Sequence, residues 1–215
     1  LYIILSTLYL NAGEQYIYTK ISNQNGLAST VNCIYKEKDG AVWLGTPRGL
    51  YSFNGYNIKH FNDSLFFGRA VYDIEEDIKG GIWILTDRWI MHRKKGEEIF
   101  KVVGCGEEKE TPSFMSMCQD EEGLWFGGVG CIYRYTYKEE QLSYFCSLGN
   151  RYCSIINKAG ISTLMCSSSN GSILVNTLSG ELTDILTDSP KEVSAVLTDS
   201  KGRLWIARYN NGIQV

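Results

Sequence analysis

The sequence predicts an all-β protein, a β-propeller of four-stranded antiparallel blades, and three observations predict it. One phrase recurs: DGAVWLGTPRGLYSFNG at 39–55 returns as KGGIWILTDRWIMHRKKG at 79–96, EGLWFGGVGCIYRY at 122–135 and KGRLWIARYNNGIQV at 201–215. The spacing is regular, since Trp43, Trp83 and Trp125 lie 40 and 42 residues apart and Trp205 follows after 80, two periods. Units of about 40–50 residues made of strands are blades, each a small sheet that buries its faces only against its neighbours. Composition agrees: 22 Gly against three Pro, with 14 Tyr, suits short strands joined by tight turns.

Unit one sets the pattern. Residues 28–40 are a β-branched and apolar strand running into an Asp39-Gly40 hairpin turn. AVWLGT at 41–46 is a second strand, apolar on both faces, so both must be covered. Pro47, Arg48 and Gly49 turn the chain into the LYSF strand, and Asn54-Gly55 leads to an outer strand of alternating polarity at 56–61. Unit two repeats this with AVYDIEEDIKGG, IWILT, IMHR and EIFKVV between 70 and 103. Unit three has SFMSMCQDEEG, LWFGG, CIYRYTY and QLSYF between 113 and 145. Unit four falls between 154 and 186, its anchor expected near Thr163, with Thr163 or Leu164 in place of the tryptophan. Unit five supplies three strands at 193–202, 204–208 and 212–215. Its fourth is expected either from EQYIYTKIS at 14–22, closing the ring at an otherwise exposed edge, or from outside a partial ring. The favoured reading is a partial propeller over 14–215, part of a larger ring. Residues 1–13, with the apolar run LYIILSTLYLNA, read as the remnant of a signal peptide or as an extra strand.

A 215-residue chain that is 44% hydrophobic and 21% charged is an ordinary globular domain, and a net charge of −3 argues against a nucleic-acid binder. Seven cysteines form no CxxC pair, and Cys33, Cys118 and Cys166 lie in apolar strand patterns as small hydrophobes. No nucleophile elbow, metal-binding helix or phosphate loop is present, so no catalytic residue, metal or cofactor is expected. Asp39, Asp73, Asp77, Asp120, Glu122 and Asp199 read as supports of hairpin turns, and His60 and His92 as surface or edge histidines.

Register points instead to binding. The loop between second and third strands opens on one face in every blade, and it carries Arg48 in unit one, Arg88 and Trp89 in unit two, and Arg208, Tyr209 and Asn210 in unit five. Guanidinium forks suit carboxylate or sulfate groups, and an aromatic ring can stack on a sugar. These six residues are the expected site for an oligosaccharide, anionic in character. Salt bridges between blades are the alternative role for the arginines.

The stretch 21–61 resembles the repeat of two-component regulator propellers, through Gly26, Leu27, Asp39, Gly40, Trp43, Gly45, Thr46, Gly49, Leu50, Asn54 and Gly55. Unit four, lacking the tryptophan, and unit three, with Gly127-Gly128 for Gly-Thr, depart from the pattern. The resemblance implies an exported propeller of usually seven blades, in the periplasmic sensor half of a Bacteroidetes hybrid two-component protein. A β-sandwich, membrane helix and histidine kinase would follow. It further implies sensing of polysaccharide fragments, a homodimer, membrane anchoring only through those later segments, and no enzyme activity in this portion. Neither His60 nor His92 is expected to take the phospho-accepting role. The alternatives are a scaffold for dimerisation or domain spacing and, as a minor one, a glycan-active propeller enzyme.

Overall fold

The computed structural model describes residues 20–38, 40–62, 64–104, 113–168, 171–185, 193–209 and 212–215. Strands dominate, and the only helix among the described residues is one 3-10 turn, Asn23–Asn25. No helix there is long and apolar enough to cross a membrane.

Five antiparallel sheets are arranged as the blades of a propeller. Blade 1 is β1 (Cys33–Lys36), β2 (Val42–Thr46), β3 (Gly49–Phe53) and β4 (Ile58–Phe61); blade 2 is β5 (Val71–Glu76), β6 (Ile82–Thr86), β7 (Ile90–Arg93) and β8 (Lys101–Gly104). Blade 3 is β9 (Phe114–Gln119), β10 (Gly123–Thr136) and β11 (Gln141–Tyr152). Blade 4 is β12 (Ile155–Gly160), β13 (Thr163–Ser168), β14 (Gly171–Asn176) and β15 (Leu182–Asp184); blade 5 is β16 (Val193–Thr198), β17 (Leu204–Arg208) and β18 (Gly212–Gln214). Each sheet is a meander in chain order, and the inner strands stand side by side as β1, β5, β9, β12 and β16.

Blade 3 gives two expected strands as one. β10 folds back on itself near Gly130, whose φ of 74° suits the turn. Tyr137 N donates to Glu122 O at 2.9 Å, and Gly123 lies so close to the Tyr135 carbonyl that a Cβ would collide with it. Both middle strands are therefore present.

β2 and β6 are buried on both faces because their blades are covered on both sides. In β6, Ile82 and Ile84 pack towards blade 1 with Trp43 and Phe66, while Trp83 and Leu85 pack towards blade 3 with Phe114 and Met117. The first three anchors thus plug the seam with the blade that follows: Trp43 the first, Trp83 the second, Trp125 the third. In blade 4 that place belongs to Met165, fully buried against Val196 and Ile206 of blade 5. Leu164 faces the opposite way, into the cluster with Trp125. Met165 lies 40 residues from both Trp125 and Trp205, so the period is intact and only the side chain has changed.

Polar stitches join the same seams. Asn32 donates through Nδ2 to Val71 O (3.0 Å), Met117 N donates to Asp73 Oδ2 (2.9 Å), Ser116 Oγ donates to Cys153 O (3.4 Å) and Asn157 Nδ2 donates to Val196 O (3.1 Å). Asp73 is thus a seam residue, not a turn residue. On the far flank of blade 1, Ile21 and Leu27 cover Leu44 and Tyr51. Of the segment 14–22 expected to close the ring, residues 20–22 form no strand; the rest of it, residues 1–13 and Asp39 lie outside the described residues.

Candidate functional site

Antiparallel meanders put the turns between second and third strands on one face of the propeller and the other turns on the opposite face. On the first face, two threonines hold the loops that display the predicted arginines. Thr46 Oγ1 donates to Gly49 O (2.8 Å) and accepts from Arg48 N (3.1 Å). Thr86 Oγ1 donates to Trp89 O (3.0 Å) and accepts from Trp89 N (2.8 Å) and Arg88 N (3.3 Å). The threonine three places after each tryptophan locks the turn, and the residue two further on is thrown into solvent. Arg48 and Arg88 are exposed, on adjacent blades, and neither forms an ion pair among the described residues.

Trp89 is half-buried, and its ring is already occupied. The guanidinium of Arg69 lies 4.0 Å from its centre and that of Arg88 5.4 Å. Arg69 Nε is buried without a hydrogen-bond partner. Arg69 escaped sequence reasoning because it lies in the link between blades rather than in the repeated hairpin, although it precedes the blade 2 inner strand on the same face. Next to Arg88 and Trp89 a cavity of about 90 Å3, lined also by Asp87, Ser113 and Phe114, has room for an ion or water but not for a sugar ring.

Blade 5 departs from this arrangement. Arg208 occupies the threonine position, inside β17 and paired in register with Gly212, and its Nη2 donates to Gln214 Oε1 at 3.1 Å. It is a strand residue tied back to its own sheet. Tyr209 is exposed at the loop, separated from blade 2 by blades 3 and 4, and Asn210 lies outside the described residues.

The opposite face carries a second repeated constellation. The carboxylate five or six residues before each tryptophan accepts its indole N–H: Glu37 from Trp43 (2.9 Å), Asp77 from Trp83 (3.0 Å), Asp120 from Trp125 (2.8 Å) and Asp199 from Trp205 (2.9 Å). A basic side chain completes each one. Arg93 reaches across the seam to Glu37 (2.8 Å), Arg134 bonds Asp120 (2.7 Å) over the Trp125 ring, and Arg203 bonds Asp199 (2.7 Å). In blade 2 the partner is His92, 2.9 Å from Asp77 Oδ2 and stacked on Trp83 at 4.2 Å. His92 is therefore no surface histidine, because the facing indole and carboxylate bury it. His60 keeps its expected place on outer strand β4, stacked on Tyr51.

Burial by itself would raise the Asp77 carboxyl, but hydrogen bonds from His92, Gly81 N, Trp83 and Lys79 N hold it down at about 2. Asp120 is lowered in the same way, Arg134 leading against burial. Two acids on inner strand β5 go the other way. Burial pushes Asp73 up to about 6, against hydrogen bonds from Met117 N and Ile74 N, and pushes Glu75 up to about 8, with help from the Asp73 charge. The described cysteines are free thiols, and burial lifts Cys33 to about 12, away from the range of an activated nucleophile. No group of three or more His, Cys, Asp or Glu placed to hold a metal occurs among the described residues.

Residues 25–48, the opening of blade 1, match the family described as two component regulator propeller. The chain carries that family's repeat. No curated protein matches it. Among solved structures, the chain resembles the extracellular domain of a putative hybrid two component system from B. thetaiotaomicron at 16% identity and a TM-score of 0.78, covering 90% of this chain and 29% of that one. A second such domain from the same organism aligns at 18% identity and a TM-score of 0.70, over 84% of this chain and 26% of that one. Virginiamycin B lyase from Staphylococcus aureus aligns at 20% identity and a TM-score of 0.65, over 86% and 69%. At these identities the likeness is one of fold, and the chain spans less than a third of the two sensor domains.

Proposed function

We propose that this propeller belongs to the extracytoplasmic, periplasmic sensor region of a hybrid two-component signalling protein. It reads a polysaccharide-derived oligosaccharide bearing acidic groups, in a homodimer whose histidine kinase lies elsewhere in the protein. The observation that carries this reading is the pair Arg48 and Arg88: equivalent positions on adjacent blades, displayed by threonine-locked loops, exposed and free of ion pairs among the described residues. The regulator-propeller repeat and the likeness to extracellular sensor domains support it. Arg69 and Trp89 add a cation–aromatic stack beside Arg88. Because the adjoining cavity is too small for a sugar ring, the glycan lies across the loop tips, and a second domain or subunit closes over it. Signalling then follows from unequal affinity for two arrangements of propeller and neighbour.

Thermal-shift measurements with trigalacturonate, a sulfated disaccharide and neutral maltotriose test this. A salt-sensitive rise in melting temperature with the acidic sugars alone, reduced in the Arg48→Ala/Arg88→Ala variant, is the expected result. A cooperative melt unmoved by every sugar turns the reading into that of a scaffold.

A further inference from the structure

On the face opposite the arginine loops, a cavity of about 530 Å3 opens between blades 2 and 3. Its size falls within the range of small-molecule sites. The 77–81 and 94–97 turns of blade 2, the start of β8 and the 135–140 end of the blade 3 hairpin form its walls. Tyr135 and Tyr137, with ring centres 6.3 Å apart, make the aromatic side, backed by the stack of Trp83 and His92.

Two features suit this cavity to a ligand. The Tyr137 hydroxyl is buried and donates no hydrogen bond. The backbone group facing its oxygen is the Ile78 N–H, itself a donor, so the phenolic proton has no acceptor. A buried donor left in that state is costly to folding and finds its acceptor in water or a ligand. The second feature is charge. All three carboxylates on the wall are engaged: Asp77 by His92 and Trp83, Glu97 by Lys101 (3.3 Å) and Glu140 by Lys94 (4.0 Å). Lys79 and Lys95 have no ion-pair partner among the described residues, and the Lys95 stem lies against Gly80 at the rim. The wall therefore presents two free ammonium groups and one unsatisfied donor beside a flat aromatic side.

We propose that this cavity is a second ligand site for a carboxylate on a ring-sized frame. Lys79 and Lys95 supply the counter-charge, the Tyr137 hydroxyl donates to an acceptor oxygen, and the ring lies against Tyr135. A uronic-acid sugar and an aromatic acid share this chemistry.

Calorimetric titration of the full 215-residue chain with digalacturonate and with benzoate, against neutral cellobiose and benzyl alcohol, tests the proposal and separates the two sources. One of the acids is expected to bind this cavity with one-to-one stoichiometry, counted apart from any binding at the arginine loops, more weakly at high salt, with the neutral compounds silent. Tyr137→Phe keeps the ring and should weaken binding about tenfold, the worth of a hydrogen bond to a charged group, while leaving the melting temperature unchanged or higher. Lys79→Ala/Lys95→Ala should weaken binding roughly fivefold and flatten its salt dependence. Arg48→Ala/Arg88→Ala, on the other face, should leave it unchanged, so that this site and the loop site fail separately. Absence of binding by either acid at millimolar concentration overturns the proposal. So does affinity indifferent to both cavity variants, or a lowered melting temperature in Tyr137→Phe, which would show that the hydroxyl serves the fold.

Discussion

Blades 2 and 5 carry the same hairpin, an aspartate that accepts two or more turn amides and the indole N–H of a tryptophan six residues on, yet only one of them lies in a core. Trp83 is 0% exposed, sealed by Phe126 and Tyr135 of blade 3. Trp205 points the same way from blade 5 with its partner in register, Leu197, at 60% exposure. The constellation therefore forms from local chemistry, whereas burial comes from the blade placed against it.

The largest effect that should separate the two blades is truncation of the anchor. Trp83→Ala opens a cavity in a closed seam and is expected to cost about 3–5 kcal/mol, while Trp205→Ala, already in contact with water, should cost about 1 kcal/mol or less. Urea unfolding followed by circular dichroism measures both; equal losses would mean that blade 5 is covered in solution.

Next is the carboxylate. Asp77→Ala strands the Trp83 indole N–H and the amides of Lys79 and Gly81, at an expected cost of about 2–4 kcal/mol. Asp199→Ala should cost less, since water reaches the groups it frees. A smaller loss in blade 2 than in blade 5 would break the comparison.

The third effect is pH-dependent, and its part above about pH 4 rests on two acids of blade 2. Glu75 at about 8 and Asp73 at about 6 lie above their unfolded values of about 4. Folding favours their protonated forms, so this stabilisation is complete below about pH 4 and is lost as pH rises through about 6 and about 8. Asp77, at about 2, behaves oppositely, its contribution fading as pH falls from about 4 through 2. Melting temperature should climb as pH is lowered from about 8.5 to 5 and drop again under strong acid. Glu75→Gln should flatten the upper slope and raise stability near pH 8 by about 1–3 kcal/mol. The smallest change is at the surface: Arg48→Ala/Arg88→Ala should shift stability by less than about 0.5 kcal/mol in calorimetric melts.

The blades and their order were legible because a 40-residue period and glycine turns are properties of the chain alone. So were the loop positions of Arg48 and Arg88, which follow from register. Three features were not. Met165 hides as an anchor because a flexible thioether fills an indole-sized seam without leaving a motif. Arg69 joins Trp89 only through the fold, from a link outside the repeat. Asp77 and Asp199 signal a turn in sequence, and their bond to the tryptophan becomes visible only when the hairpin closes and brings residues six apart face to face.

Four of the stitches between inner strands share one property: from Asn32, Asp73, Ser116 and Asn157, each ends on a main-chain group of the adjoining blade. Every residue of the neighbour offers the same amide, whatever its side chain. At these four bonds a substitution on the receiving side demands no matching change, in contrast to the side-chain pairs Tyr35–Glu76 and Glu37–Arg93 of the first seam, and units joined in this way can be duplicated, exchanged or allowed to diverge while the hub stays joined.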